Sequence, residues 1–417
     1  MIVISVDETV LDNGLPLVQL AMEGTRAVTL FVAFDAGART ERAEENGIAH
    51  FLEHLVFKGG EQYPTYRDVT HTAERLGAQI NAYTTHDIVA FHVNSRAEAV
   101  MEAADLLTDF VARAHIDPDE LDRERGVVIQ EIARSDDQPP ALASNLLGRA
   151  AYGDHPLGRP VLGPGEHLES FSRDQVIAFR DRRWSPARGG AFVAGDLSRL
   201  DAARLGELLG RFVPRPEPGP AEPAPPFERR VLVQERETNQ SHLRLHWEAP
   251  IDPADREQRA ALTVYATLLG GSMGSRLFEE IRERRGLCYS VWAYGGAHAD
   301  TAGLSAGAGL DSTKCIEAYE RIVEIVNELA SDGPTPGEVA RARSYAAGSL
   351  VLALERTSAV ASRAAERKIT FGEAPSPEEA VEALDAVTEA EVRAVAEVIS
   401  GTPTVACVGP HPASDFA

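Results

Sequence analysis

Residues 214–227 read PRPEPGPAEPAPPF, with a proline at about every second position. Proline fixes φ and lacks a backbone N–H, so such a run is extended and semi-rigid and joins neither a central strand nor a helix interior. It cuts the 417-residue chain into halves of similar size, and a chain of this length is expected to form more than one domain. Each half repeats one order of elements. A strand comes first, around Val28 to Ala33 and again around His242 to Trp247. A long helix follows, around His50 and around Leu262 to Leu269. A second strand region leads to an apolar helix, Ala97 to Ala112 or Ile316 to Leu329. More helices and a last strand close each half, Gly190 to Val193 and Thr404 to Val408. Alternating strands and helices predict a mixed α/β architecture, with domains at 1–213 and 228–417 joined by the proline-rich segment 214–227.

The first half carries His50-Phe51-Leu52-Glu53-His54, an H-x-x-E-H pattern. Positions i and i+4 of a helix lie one turn apart on one face, so two imidazoles there can share a metal. Glu53, at i+3, lies on that face beside any water the metal holds. The order is the inverse of H-E-x-x-H and marks inverted zincins. Leu52, Leu55, Val56 and Phe57 are apolar, so the helix is expected to pack into a core. Two histidines and a glutamate buried there need a partner. A catalytic zinc takes three protein ligands and keeps one position for water, and Glu131, in the segment Glu124-Arg125-Gly126-Val127-Val128-Ile129-Gln130-Glu131, is the candidate third ligand. Glu124 and Glu131 stand seven residues, two helical turns, apart on one face; a solvated face is the other reading of that spacing. At the equivalent place in the second half, Leu269-Gly270-Gly271-Ser272-Met273-Gly274-Ser275 has no histidine or carboxylate. One half is therefore expected to be catalytic and the other supporting.

The stretches GIAHFLEHLVFKGG (residues 47–60) and ERGVVIQEI (residues 124–132) resemble the two metal-site helices of the insulinase, pitrilysin and mitochondrial processing peptidase family. The resemblance runs from the Asp12-Asn13-Gly14 turn into the second half. It implies an α+β fold of two duplicated α/β rolls, with antiparallel-rich mixed sheets and helices packed on one face. It implies Zn²⁺ on His50, His54 and Glu131, with Glu53 as general base and Glu124 supporting the site. It implies that the segment of Asn81, Ala82, Tyr83 and Thr84 binds a peptide as an added strand, a mode that gives main-chain affinity with little sequence demand. From the residues alone, Asn81 also reads as a turn residue and Tyr83 as a core aromatic. The family carries an arginine and a tyrosine seven residues apart in its second half, matched by Arg282 and Tyr289. There an arginine fork holds peptide carbonyls and a tyrosine hydroxyl donates to the oxyanion. Arg284 and Arg285 read as a charged helix end closed by Gly286. Chains of this length supply half of a chamber in that family, so a homodimer, or a heterodimer with a related chain, is implied.

The net charge of −23 argues against a nucleic-acid partner, since such binding rests on basic surface meeting phosphate. Cys288, Cys315 and Cys407 are too few and scattered for a disulfide framework. The start, MIVISVDETV, has no basic region and no long apolar core, and no run approaches a membrane span, so a cytoplasmic location is expected. The other histidines show no second metal spacing. Gly270, Gly271 and Gly274 lack the Lys-Ser/Thr of a phosphate loop. The expected activity is a zinc endopeptidase acting on extended peptides. Two rivals are a non-catalytic partner subunit, which the retained metal residues oppose, and hydrolysis of a small amide, which the strand-adding segment opposes.

Overall fold

The computed structural model describes residues 4–417. The first half runs β1 (Ile4–Val10), β2 (Pro16–Met22), β3 (Ala27–Phe34), α1 (Ile48–Val56), α2 (Tyr66–Leu76), β4 (Gln79–Thr84), β5 (Val89–Arg96), α3 (Val100–Ala112), α4 (Pro118–Asp136), α5 (Pro139–Tyr152), α6 (Gly165–Ser170), α7 (Arg173–Arg183), β6 (Gly189–Gly195) and α8 (Ala202–Leu209). The second runs β7 (Val231–Glu235), β8 (Gln240–Glu248), α9 (Arg256–Ala266), β9 (Cys288–Ala297), β10 (Ala302–Asp311), α10 (Cys315–Asp332), α11 (Pro336–Ala353), α12 (Thr357–Phe371), α13 (Pro377–Asp385), α14 (Glu389–Val398) and β11 (Thr404–Gly409). Between α9 and β9 lie two π-helical stretches, Thr267–Gly271 and Phe278–Arg284.

The strands form two sheets, ordered β1-β2-β6-β3-β5-β4 and β7-β11-β8-β10-β9. In the first, β2 and β6 are parallel and the other pairs antiparallel. In the second, β7 and β11 are parallel and the rest antiparallel. Strand for strand, the second sheet repeats β2-β6-β3-β5-β4, direction included. The duplication read from element order is therefore present in the topology. Both sheets are mixed and mostly antiparallel, as expected.

Side chains alternate across β3. Val28, Leu30, Val32 and Phe34 enter one apolar core with Phe51, Leu52 and Leu55 of α1 and Leu106, Leu107 and Phe110 of α3. Thr29 and Phe31 point to the opposite face, where their register partners on β6 are Ala194 and Phe192. That face is also buried, under α12. The hydroxyls of Thr29 and Thr357 share a buried hydrogen bond of 2.8 Å.

The helix on that second face comes from the other half of the sequence. The first compact unit comprises the described residues up to Ile132, Pro160–Glu222 and Val351–Glu378, which include α12. The second comprises Ala133–Arg159, Pro223–Leu350 and Glu379–Ala417. It includes α5, which lies on β8 and β11 and receives the Arg244 guanidinium at Ser144 Oγ and the Pro140 carbonyl, both at 3.4 Å. The units thus differ from the contiguous halves 1–213 and 228–417 by a reciprocal exchange of one helix. Residues 213–230 form no helix or strand. The proline-rich run is divided between the units. Arg183 and Ser185 donate to the carbonyls of Gly219 and Arg215 in the first, and the Ala224 amide donates to Asp300 in the second.

Candidate metal centre

Helix α1 holds the H-x-x-E-H residues and is only nine residues long, shorter than the long helix expected around His50. Glycines flank it on both sides. Gly47 enters with φ 100°, and a Cβ there would meet the Leu162 carbonyl oxygen at 2.7 Å. Gly59, with φ 130°, sits where a Cβ would lie 2.4 Å from the backbone of Pro64. Positive φ at such close approach admits little but glycine.

The N-terminus of α1 is satisfied by a side chain from outside the helix. Buried Glu41 accepts from Asn46 Nδ2 and Gly47 N at 3.0 Å each and from Ala49 N at 2.8 Å. A carboxylate there faces the positive end of the helix and answers its free N–H groups. Burial nevertheless raises the Glu41 carboxyl from 4.5 to about 7, against the pull of those hydrogen bonds. Native protein then binds this proton more tightly than the unfolded chain does. The resulting stabilisation is complete below pH 4.5 and is lost as pH rises to about 7, an effect on the order of 3 kcal/mol. Chemical denaturation of metal-free wild type and Glu41→Gln across that interval is expected to show the wild type alone losing this amount. A constant difference between the two would show that Glu41 does not titrate there.

On the face of α1 turned to Glu131 the two imidazoles stand 4.7 Å apart, centroid to centroid. Glu131 Oε2 from α4 lies 3.8 Å from His50 Nε2 and 3.4 Å from His54 Nε2. One ligand atom from each of these residues falls within 4.8 Å of the others. The sequence-read triad is therefore assembled. Among the described residues this is the one such grouping of three or more histidine, cysteine or carboxylate groups.

Two observations test whether the set suits a metal. Burial, aided by the neighbouring His54, lowers the His50 pKa to about 3, so the ring is neutral, as a ligand must be. His54 Nδ1 contacts Glu124 Oε1 at 2.9 Å. A carboxylate only accepts, so the proton sits on Nδ1 and the neutral ring keeps its lone pair on Nε2, toward Glu131. Burial works against a charged His54, but the Glu124 hydrogen bond and the charges of Glu53, Glu124 and Glu131 outweigh it and raise its pKa. Two imidazole nitrogens and one carboxylate are the donor set of a three-ligand catalytic zinc site.

Glu124 is buried and takes a second contact, an ion pair with Lys58. Burial pushes its pKa up, but hydrogen bonds from His54 and Lys58 prevail and lower it. Lys58 stands four residues after His54, one further turn along. Neither Lys58 nor Glu41 belongs to the H-x-x-E-H pattern or to a metal-ligand spacing in the sequence.

Glu53 is 8 % exposed. Burial raises its carboxyl pKa against an opposing hydrogen bond from Thr84 Oγ1 to Glu53 Oε2 at 2.7 Å. Thr84 ends β4, the edge strand of its sheet, and Ile80 and Ala82 pack on the same core as α1. Tyr83 points to the α12 face. Its hydroxyl donates to Glu366 Oε1 at 2.8 Å and shares a 3.0 Å hydrogen bond with Ser362 Oγ. Asn81 is exposed and its Oδ1 accepts from the Ala82 amide. The 81–84 segment is thus an edge strand whose tyrosine and threonine hydroxyls are both engaged within the unit.

Arg282 and Tyr289 belong to the second unit. The Arg282 guanidinium lies over the rings of Phe278, at 4.6 Å, and Tyr289, at 5.3 Å. Tyr289 is 84 % exposed.

A family model described as insulinase, peptidase family M16, matches residues 18–165, and one described as the peptidase M16 inactive domain matches residues 170–345. The chain is 32 % identical over 384 residues to an uncharacterized zinc protease of Bacillus subtilis, covering 92 % of this chain and 93 % of that one. It is 32 % identical over 415 residues to an uncharacterized zinc protease of Mycobacterium tuberculosis, covering 97 % and 93 %. Among solved structures, a peptidase M16 inactive domain from Pseudomonas fluorescens superposes with a TM-score of 0.88 at 20 % identity, covering 98 % of this chain and 99 % of that one. A protease from Helicobacter pylori gives 0.86 at 20 % identity, covering 97 % and 99 %.

Proposed function

The chain belongs to the insulinase family of peptidases, family M16, and we propose that it is a zinc-dependent endopeptidase acting on extended, unfolded peptides. The observation that carries this reading is the convergence of His50, His54 and Glu131 beside a buried glutamate.

His50, His54 and Glu131 would hold the metal. Zinc, when bound in such a set, supplies Lewis acidity that lowers the pKa of a water and polarises a carbonyl. Glu53 takes a proton from the attacking water and returns it to the leaving amine. Its raised carboxyl pKa suits a group that must do both near neutral pH. Glu124 holds the His54 ring in its tautomer and orientation, and Lys58 offsets the charge of Glu124. The outer edge of β4 offers main-chain hydrogen bonds to a substrate strand. By the residue match to the family, Arg282 and Tyr289 are assigned to substrate contact; the exposure of the tyrosine leaves its hydroxyl available to a ligand.

The purified chain is expected to carry about one zinc, to cleave members of an unstructured peptide library, and to stop when a chelator removes the metal. Wild type and His50→Ala that both lack zinc yet still cleave would remove the metal assignment. Tyr289→Phe is expected to lower turnover with zinc retained, and unchanged turnover would take Tyr289 out of the site. A dimer is part of the same proposal, resting on the family resemblance, and an active preparation that sediments as a monomer would remove it. No helix among the described residues is long and apolar enough to cross a membrane.

A further inference from the structure

We infer that Thr84 is a positioning residue whose hydroxyl fixes the Glu53 carboxylate in the orientation from which it exchanges protons. The inference rests on the peptidase reading above and adds a residue to it.

A glutamate side chain has three rotatable bonds, and nothing in the H-x-x-E-H spacing decides where its carboxylate points. Among the described residues Thr84 Oγ1 is the one hydrogen-bond donor to it, at 2.7 Å. A hydroxyl bound to a carboxylate at that distance is a short, charge-assisted contact. It comes from another element, 31 positions along the chain. A threonine hydroxyl can bond to nearby backbone; this one crosses to α1 instead.

The donor is also stiff. A β-branched side chain in a strand has a restricted χ1. Thr84 follows Ile80 and Ala82 in the two-residue repeat of β4, so backbone pleat and core packing aim it at α1. It occupies Oε2 and leaves Oε1 for the water and the leaving amine. Burial makes the arrangement matter more, because a carboxylate that is 8 % exposed has little solvent to hold it in place.

The same residue closes the edge strand proposed to receive the peptide. A peptide paired along β4 is therefore in register with the residue that holds the base. Thr84 serves the substrate through its backbone and the base through its side chain.

The zinc-loaded full chain tests this with Thr84→Val, which keeps the shape and loses the hydroxyl, and Thr84→Ser, which keeps the hydroxyl. Thr84→Val is expected to lose ~10–100-fold in kcat, the range typical of supporting groups. Its KM should stay within about twofold, as for an interaction made only in the transition state, with zinc content unchanged. Thr84→Ser should recover most of the loss. In a Glu53→Gln background, Thr84→Val should cost nothing further, because it acts through Glu53. Wild-type kcat in Thr84→Val overturns the inference while the peptidase reading stands. Equal loss with and without the Glu53 carboxylate, or zinc loss in both Thr84 variants, overturns it in favour of a structural role. If Thr84→Val does not fold, Thr84→Ala against Thr84→Ser makes the same comparison. A wild-type chain that cleaves no peptide removes the peptidase reading and this inference together.

Discussion

Glu53→Gln is expected to leave a folded, zinc-loaded chain with almost no peptidase activity. The amide has nearly the volume of the carboxylate, so the site at Glu53, 8 % exposed, is neither emptied nor overfilled. The amide oxygen still accepts from Thr84, and His50, His54 and Glu131 are untouched. What is lost is the capacity to hold a proton between water and leaving amine, and positioned acid–base groups contribute ~10²–10⁴-fold. Steady-state hydrolysis of a fluorogenic peptide, with zinc measured on the same sample, separates this loss from loss of metal. Near wild-type, chelator-sensitive activity in the variant would end the general-base assignment.

The second large effect concerns a fragment ending at Val213. It contains the proposed metal ligands, the proposed base and the edge strand, so a division into contiguous halves leaves it able to fold. The structure gives the opposite expectation. Without α12 the second face of the first sheet, with Phe31 and Phe192, is uncovered, and the buried Thr29–Thr357 hydrogen bond is lost. Two phenylalanines alone are worth about 1.5–3 kcal/mol each when buried, against a total stability of ~5–15 kcal/mol for a typical domain. Helix α5, present in the fragment, has lost the sheet on which it packs. The fragment is expected to lack a cooperative thermal transition, to bind hydrophobic dyes and to be inactive. A cooperative melt with full activity would show that α12 is dispensable.

The grouping of His50, His54 and Glu131 was legible because its signal is local. Two histidines and a glutamate at i, i+4 and i+3 share a face whatever surrounds the helix, and Glu124 and Glu131 repeat that logic over two turns. The repeated order of strands and helices along the chain was legible, and the order of strands within each sheet was not. Nor was the exchange of α5 and α12. Apolar spacing tells which face of a helix is buried and says nothing about which sheet buries it. Lys58 escaped notice because a lysine near a helix C-terminus has an ordinary reading as a partner for the dipole. Glu41 left no trace at all, since its role depends on a loop folding back over the start of α1. The length of α1 was overestimated because apolar residues continue through Phe57. The helix ends at Val56 with Phe57 as its cap, and Gly59 just beyond turns the chain through a positive-φ conformation that composition does not display. Thr84 was read as part of a substrate strand, and the direction of its side chain emerged only with the register of β4.

The helix exchange also orders events during synthesis. The last strand of the first sheet, β6, ends at Gly195, but the helix that covers its second face ends at Phe371. At ribosomal speeds of ~5–20 residues per second, those ~180 residues take on the order of 10–40 s to appear. For that interval the first unit exists as a sheet with one finished side and one apolar side open to the cell. Two-domain enzymes are commonly pictured as maturing one domain at a time from the N-terminus. Here the earlier-made unit is completed by a late-made segment, so neither unit can finish and leave the other behind. Any chain truncated in translation before residue 351 carries an exposed apolar sheet face, a ready mark for quality control to recognise.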